Sequence, residues 1–541
     1  MSSTKEALLA RYEKRLAFDN FFTGRLYPVI VAVLVLFGYF TKQEVFTNAI
    51  LAVLTFWGLL SCKTVRPLMC YLFTVLYQIP YEHQVQNPET DADSLLSGWR
   101  AFVVLGSFAL VIIGAMIFLI RQGAWHKADK REGLYRFKPL PLLIPTLLFC
   151  LSLFLAGFGT KINSPNESMI FAAGQTVVYL ILFAIFFRGF EDENSGELLA
   201  YFAYVTLIVA CILNVEVACY HINKFIETGT LEFIRNGNEI NLGFGNANLI
   251  AYNVGLLIPM QLYGFTKCKG RGIYLLSAIL TYLSSCSCTS RTATIAATFI
   301  LILGLILSFF ARNVQHPRRV SNRVILLLLV IVIAAVFVVF PTQVKAFFAD
   351  LDRTFPEKTS LTATTSEGIT LLSKTASTMK SKIGQLLDAL LGDINLSGRV
   401  RIWDECGVAF EQNPIFGPGI YFLDIPGGFE LSYMPWLAHN TVMYLLGAGG
   451  IVALAAYLLY RFATALVFFV RPTTDKWFLF LVCLFLVISG LTDNYVFYYY
   501  TAFHYLVALA IACKINRETK VERLARRERI AEKLSKSAPK A

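Results

Sequence analysis

The chain has 541 residues, of which 56% are hydrophobic and only 16% charged, and its mean hydropathy is +0.58. Soluble domains hold about 45–50% apolar residues, so a water-soluble multidomain enzyme is excluded. The formal net charge of +12 raises a nucleic-acid partner, but the distribution of the basic residues argues against one. They crowd into short stretches between apolar runs: Lys5 to Arg25, Lys63 to Arg66, Arg121 to Lys138, Lys267 to Arg271, Arg312 to Arg323, Arg461 to Lys476 and the tail after Cys513. A first helix entering from the cytoplasm puts all of these stretches inside, as the positive-inside rule requires. The partner implied is a lipid bilayer, with no nucleic acid.

Apolar runs long enough to cross a hydrocarbon layer of about 30 Å as helices recur throughout, without the alternating segments of roughly 10 residues that barrel strands show. The first 25 residues are charged and lack an early apolar core, so a retained cytoplasmic N-terminus is expected rather than a cleaved signal peptide. Spans are predicted near Leu26 to Phe40, Val45 to Ser61, Pro67 to Gln78 (short enough to be re-entrant), Ala101 to Ile120 and Pro139 to Gly159. Further spans are predicted near Met169 to Phe187, Leu198 to Tyr220, Ala247 to Phe265, Gly272 to Ser285, Thr292 to Phe310 and Val324 to Phe340. The last three run near Thr441 to Tyr460, Trp477 to Leu491 and Val496 to Cys513. The fold class is therefore an all-α polytopic membrane protein of about 12–14 transmembrane helices.

The layout this implies is a cytoplasmic N-terminus (1–25), helices 1–11 (26–340), a long extracytoplasmic loop domain (341–436), helices 12–14 (437–513) and a basic cytoplasmic tail (514–541). Two outer segments are substantial, one around His221 to Gly245 and the long loop itself, and long loops commonly carry function. Within the latter, Ile369 to Leu391 reads as an amphipathic helix. Ser397 to Gln412 reads as a second, stopped by Asn413, Pro414 and Gly417-Pro418-Gly419. Arg526, Arg527 and Arg529 make the tail a basic segment suited to anionic lipid heads. The 11 cysteines lie mostly in apolar runs and form no disulfide framework.

Polar groups cluster at one level, the outer boundary, where burying them needs a reason. Four constellations stand out: Gly243-Phe-Gly-Asn-Ala-Asn248; Thr289-Ser-Arg291; Ser397-Gly-Arg399-Val-Arg401-Ile-Trp403 with Asn413-Pro-Ile-Phe-Gly-Pro-Gly419; and Ala438-His439-Asn440 with Gly447, Gly449 and Gly450 beyond. At these residues, and in their order, the sequence resembles the O-antigen ligase and polymerase superfamily over Leu198 to Tyr460. The resemblance implies a helical, GT-C-like membrane glycosyltransferase that takes a glycan from an undecaprenyl-diphosphate donor and passes it to a glycan or glycolipid acceptor on the outer face of the cytoplasmic membrane. It further implies that Arg291 and Arg399 bind the diphosphate, with Arg401 as helper, and that His439 is the base.

The chemistry is consistent with those residue types. A diphosphate is already a good leaving group, so its departure needs charge stabilisation more than a proton. Guanidinium grips phosphate oxygens bidentately and keeps its charge, so neither a metal nor another cofactor is called for. The acceptor hydroxyl must lose a proton, a task suited to neutral imidazole. Asn440, Asn246 and Asn248 are candidates to hold the donor or orient the ring.

Each residue also has a structural reading. His439 can cap the twelfth helix, Arg291 can snorkel to head groups, and Arg401 can serve a salt bridge. Gly243, Gly245, Asn246 and Asn248 can simply end a loop and cap a helix, and Gly447 to Gly450 fits a helix-packing seam. Asp404, Glu405 or Glu411 can replace His439 as base. Asp91-Ala-Asp93 and Asp350-Leu-Asp352 admit a cation but lie outside the matching motifs. The aromatic residues of Phe429 to Trp436 can stack on sugars or anchor the loop at the interface.

A repeat-unit polymerase shares the donor chemistry of a ligase. A transporter or flippase would place ionisable groups near the midplane and show internal repeats. Here His504 is the main such group.

Overall fold

The computed structural model describes residues 20–41, 43–62, 64–75, 98–121, 140–159, 165–191, 193–229, 234, 247–288, 290–311, 399–419, 440–491, 497 and 501–519. The eleventh span near Val324 to Phe340, the helix at Ile369 to Leu391 and the basic tail from Arg526 lie outside them. The chain divides into two units, residues 1–324 with 406–541, and residues 325–405. The described part of the second unit is residues 399–405, the opening turns of a helix.

Helices dominate. In chain order they are α1 (Leu26–Thr41), α2 (Glu44–Ser61), α3 (Arg66–Val75), α4 (Gly98–Arg121), α5 (Leu140–Leu155) and α6 (Pro165–Thr176). A π-helical turn (Val177–Leu182) then leads into α7 (Phe183–Gly189). There follow α8 (Ser195–Thr228), α9 (Ala247–Gly255), α10 (Ile258–Lys267), α11 (Arg271–Ser287), α12 (Arg291–Phe310), α13 (Arg399–Gln412), α14 (Thr441–Phe469) and α15 (Thr474–Gly490). The last helix among the described residues, α16, covers residues 501–519. Among the described residues the sole β-pairing is an isolated bridge between Ile234 and Cys288, and the 11 cysteines form no disulfide. Among the described residues six helices are long and apolar enough to cross a membrane. Large apolar side chains such as Phe102, Phe37 and Phe462 stay exposed on their outer faces, which suits contact with lipid tails rather than water.

The helices follow the predicted spans with instructive departures. The eighth span is two helices, α9 and α10, interrupted at Leu256 and Leu257. The sixth contains the π-helical turn. The twelfth continues nine residues past Tyr460 to Phe469, so Arg461, read above as the start of a cytoplasmic stretch, lies inside a helix.

One end of the larger unit is held by charge. Arg66 donates from Nε to Glu193 at 2.6 Å and from Nη1 to the carbonyl of Thr23 at 3.3 Å, and Thr64 also donates to Glu193. Arg517 pairs with Glu191 at 2.7 Å, and Lys267 with Asp475 at 3.6 Å. Buried Lys476 donates to Asn516 at 2.8 Å and to the carbonyl of Val470. The basic residues involved come from the basic stretches of the sequence, and the contacts bring the ends of α10 and α16 against the starts of α3, α8 and α15.

Candidate active site

The opposite end of the larger unit gathers helix starts. Ser290, extended at φ −93° and ψ 98°, caps α12 by accepting from the Ala293 N–H, so Arg291 is the first residue of that helix. Tyr252 on α9 donates to Thr292 at 2.5 Å and meets Phe485 of α15 edge-on. Three residues further along α9, Gly255 lies against Phe485 and Ala297. The pairs 252 with 292 and 255 with 297 make α9 and α12 run parallel, with Ala247 and Arg291 at the same end.

α15 runs the other way and ties α14 to this layer. Asn440 donates from Nδ2 to the carbonyl of Leu491 at 3.0 Å, just past the end of α15. Its Oδ1 accepts from the N–H groups of Val442 and Met443 at 2.9 and 3.1 Å. α9, α12 and α14 therefore all start where α15 finishes, and the N–H ends of three helices share one end of the unit. That arrangement concentrates positive backbone potential suited to an anion.

The sequence-predicted residues distribute as follows. Arg291 opens α12, Asn248 is the second residue of α9, and Asn440 caps α14. Arg399 and Arg401 are the first and third residues of α13, in the second unit. His439 and Asn246 lie outside the described residues. The cap of α14 is thus Asn440 and not His439, and both ends of the Asn440 amide are engaged within the protein.

Sequence reasoning missed the joint below this layer. Gly450 adopts φ 65° and ψ −166° inside α14 and breaks the helix; helix geometry places it about 15 Å from Asn440. Breaking a helix at membrane depth frees backbone groups that cost several kcal/mol each, roughly, if left unpaired. The turn Asn413–Gly419 supplies their partners. Ile451 N–H donates to Pro414 at 2.9 Å, Val452 N–H to Ile415 at 3.2 Å, and Gly419 N–H to Ala448 at 3.0 Å.

The turn is clipped on its far side as well. Gly157 N–H donates to Phe416 at 2.9 Å, and Asn413 donates to the carbonyl of Phe158 at 2.9 Å. Gly447 lies against the backbone of Cys406, as a packing seam requires. The sequence signal was present in the glycines of Gly417-Pro-Gly419 and Gly447-Ala-Gly-Gly450. That they meet each other required the fold.

Residues 274–458, which contain Arg291, Arg399, Arg401, His439 and Asn440, match the family model described as O-antigen ligase. A comparison with curated proteins gives no match. The ordered motifs, the helical bundle and this match agree: the chain is a multi-pass helical membrane protein whose residues 274–458 are similar to the O-antigen ligase family.

Proposed function

We propose that this protein is a metal-independent, inverting glycosyltransferase that moves a glycan from an undecaprenyl-diphosphate carrier to a sugar hydroxyl of its acceptor. The observation that carries the reading is the O-antigen ligase match over residues 274–458, within which the two arginine motifs and the His-Asn motif all fall. The shared start of α9, α12 and α14 supports it, because a diphosphate gains from several helix N-termini at once.

In this reading His439 accepts the proton of the acceptor hydroxyl. The resulting oxygen forms a bond to the anomeric carbon from the side opposite the diphosphate. The bond between that carbon and the phosphate oxygen breaks, and the configuration inverts. The electron pair leaves with the diphosphate, whose added charge Arg291 and Arg399 take up, helped by Arg401. Asn246 and Asn248 bind the donor, and Asn440 holds the start of α14 behind His439.

The active end faces outward from the cytoplasmic membrane, with 341–436 as the extracytoplasmic loop and residues 1–25 and 514–541 in the cytoplasm. The collection of Arg66, Lys267, Lys476, Lys514 and Arg517 at the other end supports that orientation. The test is incubation of the purified protein with a lipid-linked oligosaccharide and a glycolipid acceptor, with products sized by mass. A whole glycan capped onto the acceptor is the expected result, and a ladder growing by one repeat identifies a polymerase instead. Uptake into sealed vesicles without a new glycosidic bond overturns the enzymatic reading.

A further inference from the structure

Arg461 is a permanent cation inside a membrane-spanning helix, far from the candidate transfer end. It lies in the Thr441–Phe469 span, about 13 Å of helix before Val470, where the Lys476 and Asn516 contacts mark the charged end of the unit. Among the described residues no acid is paired with it. Aromatic faces surround it instead, with Tyr505, Tyr457 and Tyr460 ring centres 4.7, 5.1 and 5.9 Å from its guanidinium carbon.

The box is built from elements distant in sequence. Phe149 of α5 stacks on Tyr460 at 5.5 Å, and Tyr179 meets Tyr460 edge-on at 5.7 Å. Tyr179 comes from the π-helical turn Val177–Leu182, a rare form that recurs at functional sites. Cation–π contacts offset part of the desolvation of the charge, but they leave hydrogen-bonding capacity unused. Among the described residues, Arg461 Nε and Nη1 are sealed with no hydrogen-bond partner, and so are the hydroxyls of Tyr460 and Tyr505. Arg461 as a whole retains part of its surface, beside the outward-facing Leu458 and Phe462.

A cation with spare donors, phenol hydroxyls beside it and part of the residue's surface exposed next to the lipid-facing side of α14 is suited to an anion within the apolar layer. We propose that Arg461, with Tyr460 and Tyr505, binds the phosphate group of a lipid entering along α14. This site is separate from the transfer site and does not rest on the glycosyltransferase reading.

The experiment is native mass spectrometry of the full chain in detergent. It is offered phosphatidylglycerol, a prenyl monophosphate or inorganic phosphate, with dioleoylglycerol as the phosphate-free control. Either phosphate lipid is expected to be retained over dioleoylglycerol, with about tenfold lower occupancy in Arg461→Gln, equal to about 1.4 kcal/mol. Retention of inorganic phosphate alone, lost in the same variant, identifies a soluble anion as the ligand and overturns the lipid assignment. Equal retention of phosphatidylglycerol and dioleoylglycerol by the wild type, or undiminished retention by folded Arg461→Gln, overturns the site altogether. Should Arg461→Gln fail to fold, Tyr505→Phe keeps the cation and the ring face while removing one hydroxyl. A severalfold loss of phosphate lipid there supports the site, and unchanged retention contradicts it.

Discussion

The carbonyl oxygen of Ile415 lies so close to Gly450 that a Cβ built on the glycine would stand 2.5 Å from it. The same is true of Gly417 and the carbonyl of Ala448. Two backbones meet where a side chain would hold them apart, and both glycines also have positive φ, 65° and 66°.

Gly450→Ala and Gly417→Ala are therefore each expected to cost at least ~2 kcal/mol, from left-handed backbone and lost loop-to-helix bonds together. Gly407→Ala on α13 is the control, since a Cβ there meets nothing within 4 Å and helix propensity favours alanine by up to ~1 kcal/mol. Thermal unfolding in detergent checks both: the first two variants melt earlier, and the third melts no earlier than the wild type.

Asn440→Ala removes a cap that accepts from two N–H groups and donates to Leu491. The expected loss is ~1–2 kcal/mol. Asn440→Asp keeps the acceptor and loses the donation, so it recovers the cap but not the tie to α15. Hydrogen exchange at Val442 and Met443 separates the two, rising in the alanine variant and staying near the wild-type rate in the aspartate variant.

The turn after α7 makes stability depend on pH through two carboxylates with opposite shifts. Burial raises Glu191, but Arg517 and Arg188 outweigh it and hold its pKa below the ordinary carboxylate value. Its stabilisation is full above the unfolded-state pKa and is lost as pH falls through the lower, folded one. Burial dominates at Glu193 and raises its pKa despite Arg66. Glu193 therefore favours the fold below its unfolded-state pKa, and that contribution is lost as pH rises through the folded one. Melting across the acidic range should show Glu191→Gln with a flatter loss toward low pH than the wild type. Glu193→Gln should keep the acid-side loss and melt at a temperature less sensitive to pH on the neutral side.

Tyr252→Phe removes a hydroxyl that joins α9 to the first turn of α12 and leaves the ring against Phe485. A stability loss of ~1 kcal/mol is expected. Transfer should fall severalfold in kcat with little change in donor KM, because the residue acts by placing the helix that Arg291 opens.

Much of the fold was legible because a span announces itself locally: the apolar runs from Leu26, Val45 and Thr292 start and stop within a few residues of the helices. The internal breaks were not legible. Glycines flag the stretches around Leu256 and Gly450, but whether the chain leaves the helix at Gly450 is decided by partners such as Ile415, far away in sequence. The sequence puts Arg461 at the start of a cytoplasmic stretch for the same reason. A lone arginine after an apolar run reads as the end of a span until Tyr505 and Tyr179 arrive from other helices. At the site, Ser290 and Asn440 sit where helix-start chemistry places them, whereas the tie from Asn440 to Leu491 is purely tertiary.

The most direct measurement is transfer from a lipid-linked oligosaccharide by the wild type, His439→Ala and Arg291→Gln, each with an unchanged melting temperature. Loss of a general base is expected to lower kcat by about 10²–10⁴-fold, with transfer by His439→Ala no longer rising with pH through the imidazole range. Arg291→Gln should lose a comparable factor through weakened charge stabilisation. Undiminished turnover in folded His439→Ala, with the wild-type pH profile intact, would contradict His439 as the base that activates the acceptor.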